Sequence, residues 1–430
     1  MLAIKSHIGP YISNGIKFGY SYRRAIAERK AFELLSEQNK NEYIKGKVLN
    51  KVREAFDKSV FYNELYRFHN VDPHKFKEIS DLSYLPIISK KDFLEKTDQL
   101  LLSDSDKSKL ITANTGGSTG NPLKLYRSNK EVAEEYAYLD FYLKNVMKIN
   151  GRKKIIIRGN CDKSNVLKRF GCNLILSSQL INEGNIEYVV SAIKSFSPDL
   201  VHAYPSSILK LTDLISRKNL DVNIPNILTS SEKISKQQLD LLKFKYNANF
   251  IDLYGNSEHS VLAINTSGDY VFDLTYGYTE FVEGKIISTK LLSSPMPLIR
   301  YDCGDTYLNE SVKSNELSNK ALDSIGGRNV EYVYDNKNNQ LPVVSIILGQ
   351  HYDFFNSVTD YSLVQNKPGE LMIEYISNSA LSSSDINSAI DKMNTITNFA
   401  LKLKFKKVDK IRLLNNGKKA FIYRGGTDAE

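Results

Sequence analysis

The rhythm of apolar positions changes three times along the chain. Residues 20–80 are rich in Ala, Glu, Lys, Leu and Phe at helical spacing, and "DPHKF" and "SDLSYLPIISKKDF" read as turns that introduce new helices. Residues 1–110 are therefore expected to be mainly helical. A polar loop, "TANTGGSTGNP", follows, and then a helix over residues 131–148. Beyond it short apolar runs alternate with helical stretches: "KKIIIRG", "NLILSS", "PDLVHAY", "PNILTSS" and "NFIDLYG". That alternation predicts an α/β architecture with strands buried between helices. From residue 331 onward "EYVYD", "LPVVSIIL", "DYSLVQN" and "LMIEYIS" read as strands, followed by a helix over 384–397 with Ile386, Ile390 and Met393 on one face. "LKLKFKKV" and "AFIYR" complete a small α+β unit. The expected division is a large domain over 1–327 and a small one over 328–430, joined near Arg328.

Length and composition leave room for that plan. The chain has 430 residues, 41% hydrophobic and 25% charged, enough for one large core and one small one. Its longest apolar runs fall well short of the roughly 18 residues a membrane span needs. The first residues carry Lys5, His7, Pro10 and Asn14 where a secretory peptide would be continuously apolar, so a cytoplasmic protein is expected. Cys161, Cys172 and Cys303 form no CxxC pair, which suggests neither a disulfide framework nor a zinc knuckle. The net charge of +9 is an excess spread over 58 basic and 49 acidic residues, concentrated at 17–35 and 402–424. The first of these segments could be a basic amphipathic helix for a membrane surface or a solvated helix face. No aromatic-interleaved basic motif appears, and no nucleic-acid partner is expected.

Four polar stretches carry candidate chemistry. In "NTGGSTGNP", Gly116, Gly117 and Gly120 permit tight bends and expose backbone N–H groups, while Thr115, Ser118 and Thr119 add hydroxyl donors. The set suits phosphate oxygens, although a Gly/Ser loop can be only a loop, and the GK[ST] ending of a Walker loop is missing. In "FIDLYGNSEHS" a strand-like run ends in Tyr254, Gly255 and Glu258, an aromatic, a close-approach glycine and a carboxylate that could serve a base, its sugar and a metal. "PLIRYDCGDTY" ends its motif in Asp305, and "IGGRN" contains Arg328; an aspartate can chelate ribose hydroxyls and a guanidinium can bridge phosphate. Each could equally be a turn or a surface ion pair.

In this order the stretches resemble the adenylate-forming superfamily, and the flanking "SVFYNELY", "DLSYLPIISKKDF", "HAYPSSI" and "TSSEKIS" look most like its phenylacetate-CoA ligase and CapK-like branch. The resemblance runs from about Phe61 to Tyr423. It implies a large adenylate-forming N-terminal domain, a small mobile C-terminal lid, and ATP and Mg2+ as cofactors. It further implies that Thr115, Gly116, Gly117, Ser118, Thr119 and Gly120 form the phosphate loop and that Glu232 lies beside the adenine. Tyr254 and Gly255 would meet the adenine, Glu258 the metal, Asp305 the ribose and Arg328 its neighbourhood. Glu331 would be the hinge, and Lys418 in "LLNNGKKAFIYR" the catalytic lysine, with Lys419 its adjacent rival.

The sequence departs from the superfamily at Asp302 and Cys303, where arginine and threonine are common, and it lacks the usual "RG" after the hinge. "DNKNNQLP" stands there as a hairpin, which leaves coenzyme A recognition open. The implied activity is conversion of a small carboxylic acid to its acyl-adenylate and transfer to a sugar, amine or coenzyme A, in surface-polysaccharide biosynthesis. The pocket for the acid is expected within 130–254, with Tyr136, His202 and Tyr204 as linings. Competing readings are an aryl-acid coenzyme A ligase, a member that binds nucleotide without turnover, and a non-catalytic scaffold peripheral to a membrane.

Overall fold

The computed structural model describes residues 12–93, 96–114, 124–149, 152–158, 165–178, 180–326, 332–343, 346–347, 352–412 and 422–424. The fold is mixed α/β, and the chain divides into two units, Met1–Arg152 with Phe250–Ile325 and Lys153–Asn249 with Gly326–Glu430.

In the first unit the helical rhythm of the N-terminal third produces helices Gly19–Glu33, Glu37–Lys58 and Val60–Phe68. Ser36 caps the second through a hydrogen bond from Asn39 N, and Ile44, Val48, Leu49, Val52 and Ala55 form its buried stripe. The basic segment forms the first of these helices, and its Tyr22, Ala25, Arg29 and Phe32 are buried. Tyr22 donates to Asp140 on helix Asn129–Asn145, and Arg29 pairs with the fully enclosed Asp273 at 2.8 Å. One face of this helix is thus taken up by the protein itself. Helix Asn129–Asn145 realises the helix expected over 131–148.

Strand Asn249–Gly255 pairs antiparallel with Leu262–Asn265, which continues through Tyr270–Phe272 and Lys320–Leu322 to Val312–Asn315. A three-stranded antiparallel sheet, Gly277–Val282, Lys285–Lys290 and Tyr301–Thr306, completes the unit. One core cluster, running from Phe32 to Ile325, joins these strands to the helices. Gly277 is required by a close approach: a Cβ there would stand 1.9 Å from the carbonyl oxygen of Ser260.

In the second unit the apolar runs become parallel strands in the order Asn226–Ser230, Leu200–Ala203, Lys154–Arg158 and Asn173–Ser177, with Leu167–Phe170 antiparallel at the edge. Helices Ile186–Phe196, Pro205–Arg217 and Lys236–Tyr246 accompany them. Residues 326–430 hold a sheet of their own, ordered Lys402–Lys407, Glu370–Ile376, Asp360–Gln365 and Ile422–Arg424, and a separate apolar core. Helix Ser383–Thr397 forms the crossover between the parallel strands Glu370–Ile376 and Lys402–Lys407. The expected hairpin is present: Tyr332–Tyr334 pairs with Gln340–Pro342, and the Asp335 side chain accepts from Lys337 N and Asn339 N in the turn.

One expected strand is corrected. In "LPVVSIIL" strand pairing stops at Pro342, while Val343 is helical and Ile346 and Ile347 lie in a π-helical turn. These three residues are almost fully buried and spaced i, i+3, i+4, the spacing of a helix face.

Candidate functional site

Two of the sequence motifs meet in the first unit. Tyr254 closes strand Asn249–Gly255, and its hydroxyl donates to Asp305 Oδ2 at 2.8 Å. Glu258 sits in the following turn, nearly buried, where Tyr301 donates to its Oε1 at 3.0 Å. Tyr301 and Asp305 share strand Tyr301–Thr306, so each motif supplies a tyrosine that fixes the other's carboxylate. Between these two hydrogen bonds lies a polar seam. Asn256 donates to Ser260 Oγ at 2.8 Å, and Ser288 donates to the same oxygen at 2.7 Å. The Cys303 thiol lies 3.2 Å from Ser288 Oγ; burial pushes it above its ordinary range, so it is a packed, protonated thiol.

Backbone geometry supports the same arrangement. Gly255 passes close to its partner strand, since a Cβ there would lie 3.2 Å from Val261 O. Gly304, with φ +77°, donates its N–H to Asp302 Oδ1, a turn that presents Asp305. Asp302, the residue that departs from the superfamily, also pairs with Lys285 at 3.2 Å. The ring of Tyr254 packs edge-on against Phe272 with centroids 6.0 Å apart.

A buried ion pair lies beside the Glu258 turn. Lys290 Nζ is 2.6 Å from Glu131 Oε1, with side chains 4% and 0% exposed, and His259 Nδ1 is 3.6 Å from the same oxygen. Burial pushes the Glu131 carboxyl up, but Lys290, His259 and Ser294 outweigh it and hold the group down at about 2. His259, next to Glu258 in sequence, adopts φ 54°, and Arg127 donates to the carbonyl of Ser257.

The second unit carries the other candidates. Glu232 accepts from Ser206 N at 2.9 Å and from Ser206 Oγ at 3.0 Å, capping helix Pro205–Arg217 at its second residue. His202, at the end of its strand, lies 3.1 Å from Ser230 Oγ and 3.3 Å from Arg158 Nη2. Arg158 stands over Tyr204, 4.4 Å from its ring centroid. Tyr136, in the first unit, stacks on Phe18 at 4.9 Å.

Thr115, Gly116, Gly117, Ser118, Thr119, Gly120, Arg328, Glu331, Lys418 and Lys419 lie outside the described residues. The sequence reading passed over Tyr301, Ser260, Ser288, Glu131 and Arg158. Arg158 alone had a usable signal, a cation at the carboxyl end of the apolar run "KIIIR".

No protein-family model matches the chain. It is 25% identical over 390 residues to protein CapK of Staphylococcus aureus, covering 84% of each chain. It is 20% identical over 283 residues to the phenylacetate-coenzyme A ligase of Pseudomonas putida, covering 59% of this chain and 63% of that one. Among solved structures, 2-hydroxyisobutyryl-CoA ligase in its postadenylation state, in complex with R3-HIB-AMP, shares the fold with TM-score 0.63 and 14% identity, over 91% of this chain and 90% of that one. An open conformation of the same ligase with 2-HIB-AMP and CoA gives TM-score 0.55 over 89% and 91%. In sequence the chain is similar to CapK and phenylacetate-CoA ligase, and in fold to a ligase solved with acyl-AMP bound, a likeness to the adenylate-forming superfamily in its CapK- and phenylacetate-CoA ligase-like branch.

Proposed function

We propose that the protein uses ATP and Mg2+ to convert a carboxylic acid to its acyl-adenylate, then passes the acyl group to a thiol, amine or hydroxyl acceptor. The observation that carries this reading is the reciprocal pairing of Tyr254 with Asp305 and of Tyr301 with Glu258, which holds an aromatic and two carboxylates as one rigid set. In the proposal Tyr254 meets the adenine, Asp305 takes the ribose hydroxyls, and Glu232 lies on the adenine side. The loop from Thr115 to Gly120 would donate to phosphate oxygens, and Arg328 would approach the ribose.

The donor set suits magnesium. Mg2+ is held by one or two carboxylates together with substrate phosphates, and Glu258 offers one anchored carboxylate with no group of three His, Cys, Asp or Glu ligands among the described residues. Bound there, the metal would neutralise phosphate charge. Lys418 would add its own charge where the acid's carboxylate meets the α-phosphate, two anions that must be aligned and screened. Turning of residues 328–430 about Glu331 would then withdraw Lys418 and admit the acceptor.

The likeness to CapK over most of both chains supports a role in surface-polysaccharide biosynthesis, with a sugar or amine as acceptor. Coenzyme A is the alternative acceptor, since the open 2-hydroxyisobutyryl-CoA ligase structure contains it.

The nucleotide site is tested by calorimetry. Asp305→Ala removes a charged hydrogen-bond acceptor and should weaken ATP binding by about 10- to 100-fold, the equivalent of about 1.5–3 kcal/mol. Unchanged affinity would remove Asp305 from the site. Glu258→Gln should raise the magnesium requirement and slow adenylation by about 10²-fold. A magnesium titration that overlays the wild type would count against Glu258.

A further inference from the structure

Apart from the Tyr254 and Asp305 motifs, the first unit holds a cavity of about 410 Å3. Its walls come from helices Gly19–Glu33, Glu37–Lys58 and Asn129–Asn145 and from residues 291–293. Arg24, Lys47, Lys51 and Lys130 bring four cations to it against the two carboxylates of Glu28 and Glu134, a surplus of two positive charges. Buried Tyr138, Leu291 and Leu292 supply the apolar part of the lining.

The cations are unequally engaged. Arg24 pairs with Glu28 at 2.6 Å, and Lys51 with Glu54 at 2.8 Å. Lys47 is partly buried, and its Nζ donates only to the carbonyl of Thr275, at 3.0 Å, among the described residues. Burial is the main cause that lowers its pKa; Lys51 adds repulsion, while Glu134, Glu28 and Asp273 oppose both without reaching ion-pair distance. Lys130 is exposed in the first turn of helix Asn129–Asn145, the end whose dipole disfavours a cation, and has no hydrogen bond or ion pair among the described residues. Cations drawn from separate helices into one concavity repel each other, and an anion received between them relieves that repulsion. Ser293 N holds Glu134 Oε2 at 2.6 Å and leaves Oε1 as an acceptor.

We propose that this cavity binds the phosphate monoester of a hydroxylated molecule such as a sugar, with Lys47 and Lys130 receiving the phosphate and Glu134 accepting from a hydroxyl. A phosphate monoester carries a charge of about −1.5 to −2 near neutral pH, which matches the surplus; a single carboxylate supplies half of it. Glu28 and Glu134 would repel a bare anion, so they suit the neutral, hydroxylated part of the ligand. The site goes beyond acid activation, since none of its residues takes part in the adenylation reading.

The test is calorimetry on the full chain at low salt with glucose 6-phosphate, ribose 5-phosphate and glycerol 3-phosphate, each beside its unphosphorylated counterpart and beside inorganic phosphate. At least one ester should bind roughly 10-fold or more tighter than both controls, as expected for charge-assisted hydrogen bonds added to those of the hydroxyls. Lys47→Met should weaken that ester by roughly 10- to 100-fold. Lys130 is exposed, so Lys130→Glu should keep the wild-type denaturant midpoint and ATP affinity while weakening the ester by roughly 10-fold or more; it decides the matter if Lys47→Met does not fold. Esters that bind no better than inorganic phosphate overturn the proposal. So does ester binding that Lys130→Glu leaves unchanged. ATP–pyrophosphate exchange, measured separately, reads acid activation, so either reading can fail without the other.

Discussion

Replacing Lys418 by alanine is expected to abolish adenylate formation from acid and ATP while sparing acyl transfer from a supplied adenylate. The physical reason is charge. A carboxylate must approach the α-phosphate of a polyanion, and a lysine that reaches both groups lowers their repulsion only in the adenylating state. Loss of one such stabiliser costs roughly 10²- to 10³-fold in comparable sites, and a cation set between two anions belongs at or above the top of that range. Lys419→Ala should keep both half-reactions. The proposed role rests on the place of "NNGKK" at the end of the sequence pattern that resembles the superfamily. Near-normal exchange in Lys418→Ala would move the role to Lys419 or remove it from this segment.

The largest loss of stability is expected from Glu131→Ala. That change leaves the Lys290 ammonium buried without its partner, which costs about 3–5 kcal/mol in comparable cases. Denaturant unfolding should report it as a lower midpoint at unchanged slope. A double replacement, Glu131→Leu with Lys290→Met, should recover most of the loss, because removing both charges also removes their desolvation. An unchanged midpoint in Glu131→Ala would contradict a buried, mutually dependent pair.

The same pair sets an acid limb. Glu131 is held at about 2 in the fold against 4.5 ordinarily, so its contribution is present above 4.5 and lost as pH falls from there towards 2. Glu131→Gln should flatten that part of the stability profile. Because His259 lies 3.6 Å from Glu131 and adjoins Glu258, the variant also tests whether the pair steadies the turn that carries Glu258.

The sequence was most readable where chemistry is local. Tyr254, Gly255 and Glu258 close an apolar strand, and Asp305 follows a glycine with positive φ, so short patterns marked them before any fold was known. Their partners were not readable. Tyr301 and Ser288 matter because antiparallel pairing brings Tyr301–Thr306 against Lys285–Lys290 and the 256–260 turn against both, a relation that spacing does not encode. Glu131 and Lys290 lie 159 positions apart, and each alone reads as a surface charge.

Periodicity also failed at one element for an instructive reason. "VVSIIL" fits a buried strand by composition, yet Val343, Ile346 and Ile347 fill the core at helical spacing, and a run this short satisfies both templates. The parallel strands were readable because their apolar runs are bounded by turns. The three- and four-residue antiparallel strands between Leu262 and Leu322 were too short to show a period.

The most direct test of acid activation is exchange of labelled pyrophosphate into ATP by the purified full chain, across aryl, amino, hydroxy, sugar-derived and dicarboxylic acids. The account predicts exchange that requires both magnesium and one class of acid and that disappears in Lys418→Ala. ATP binding that depends on Asp305, combined with exchange that never rises above the acid-free background, would contradict it and identify a protein that holds nucleotide without activating an acid.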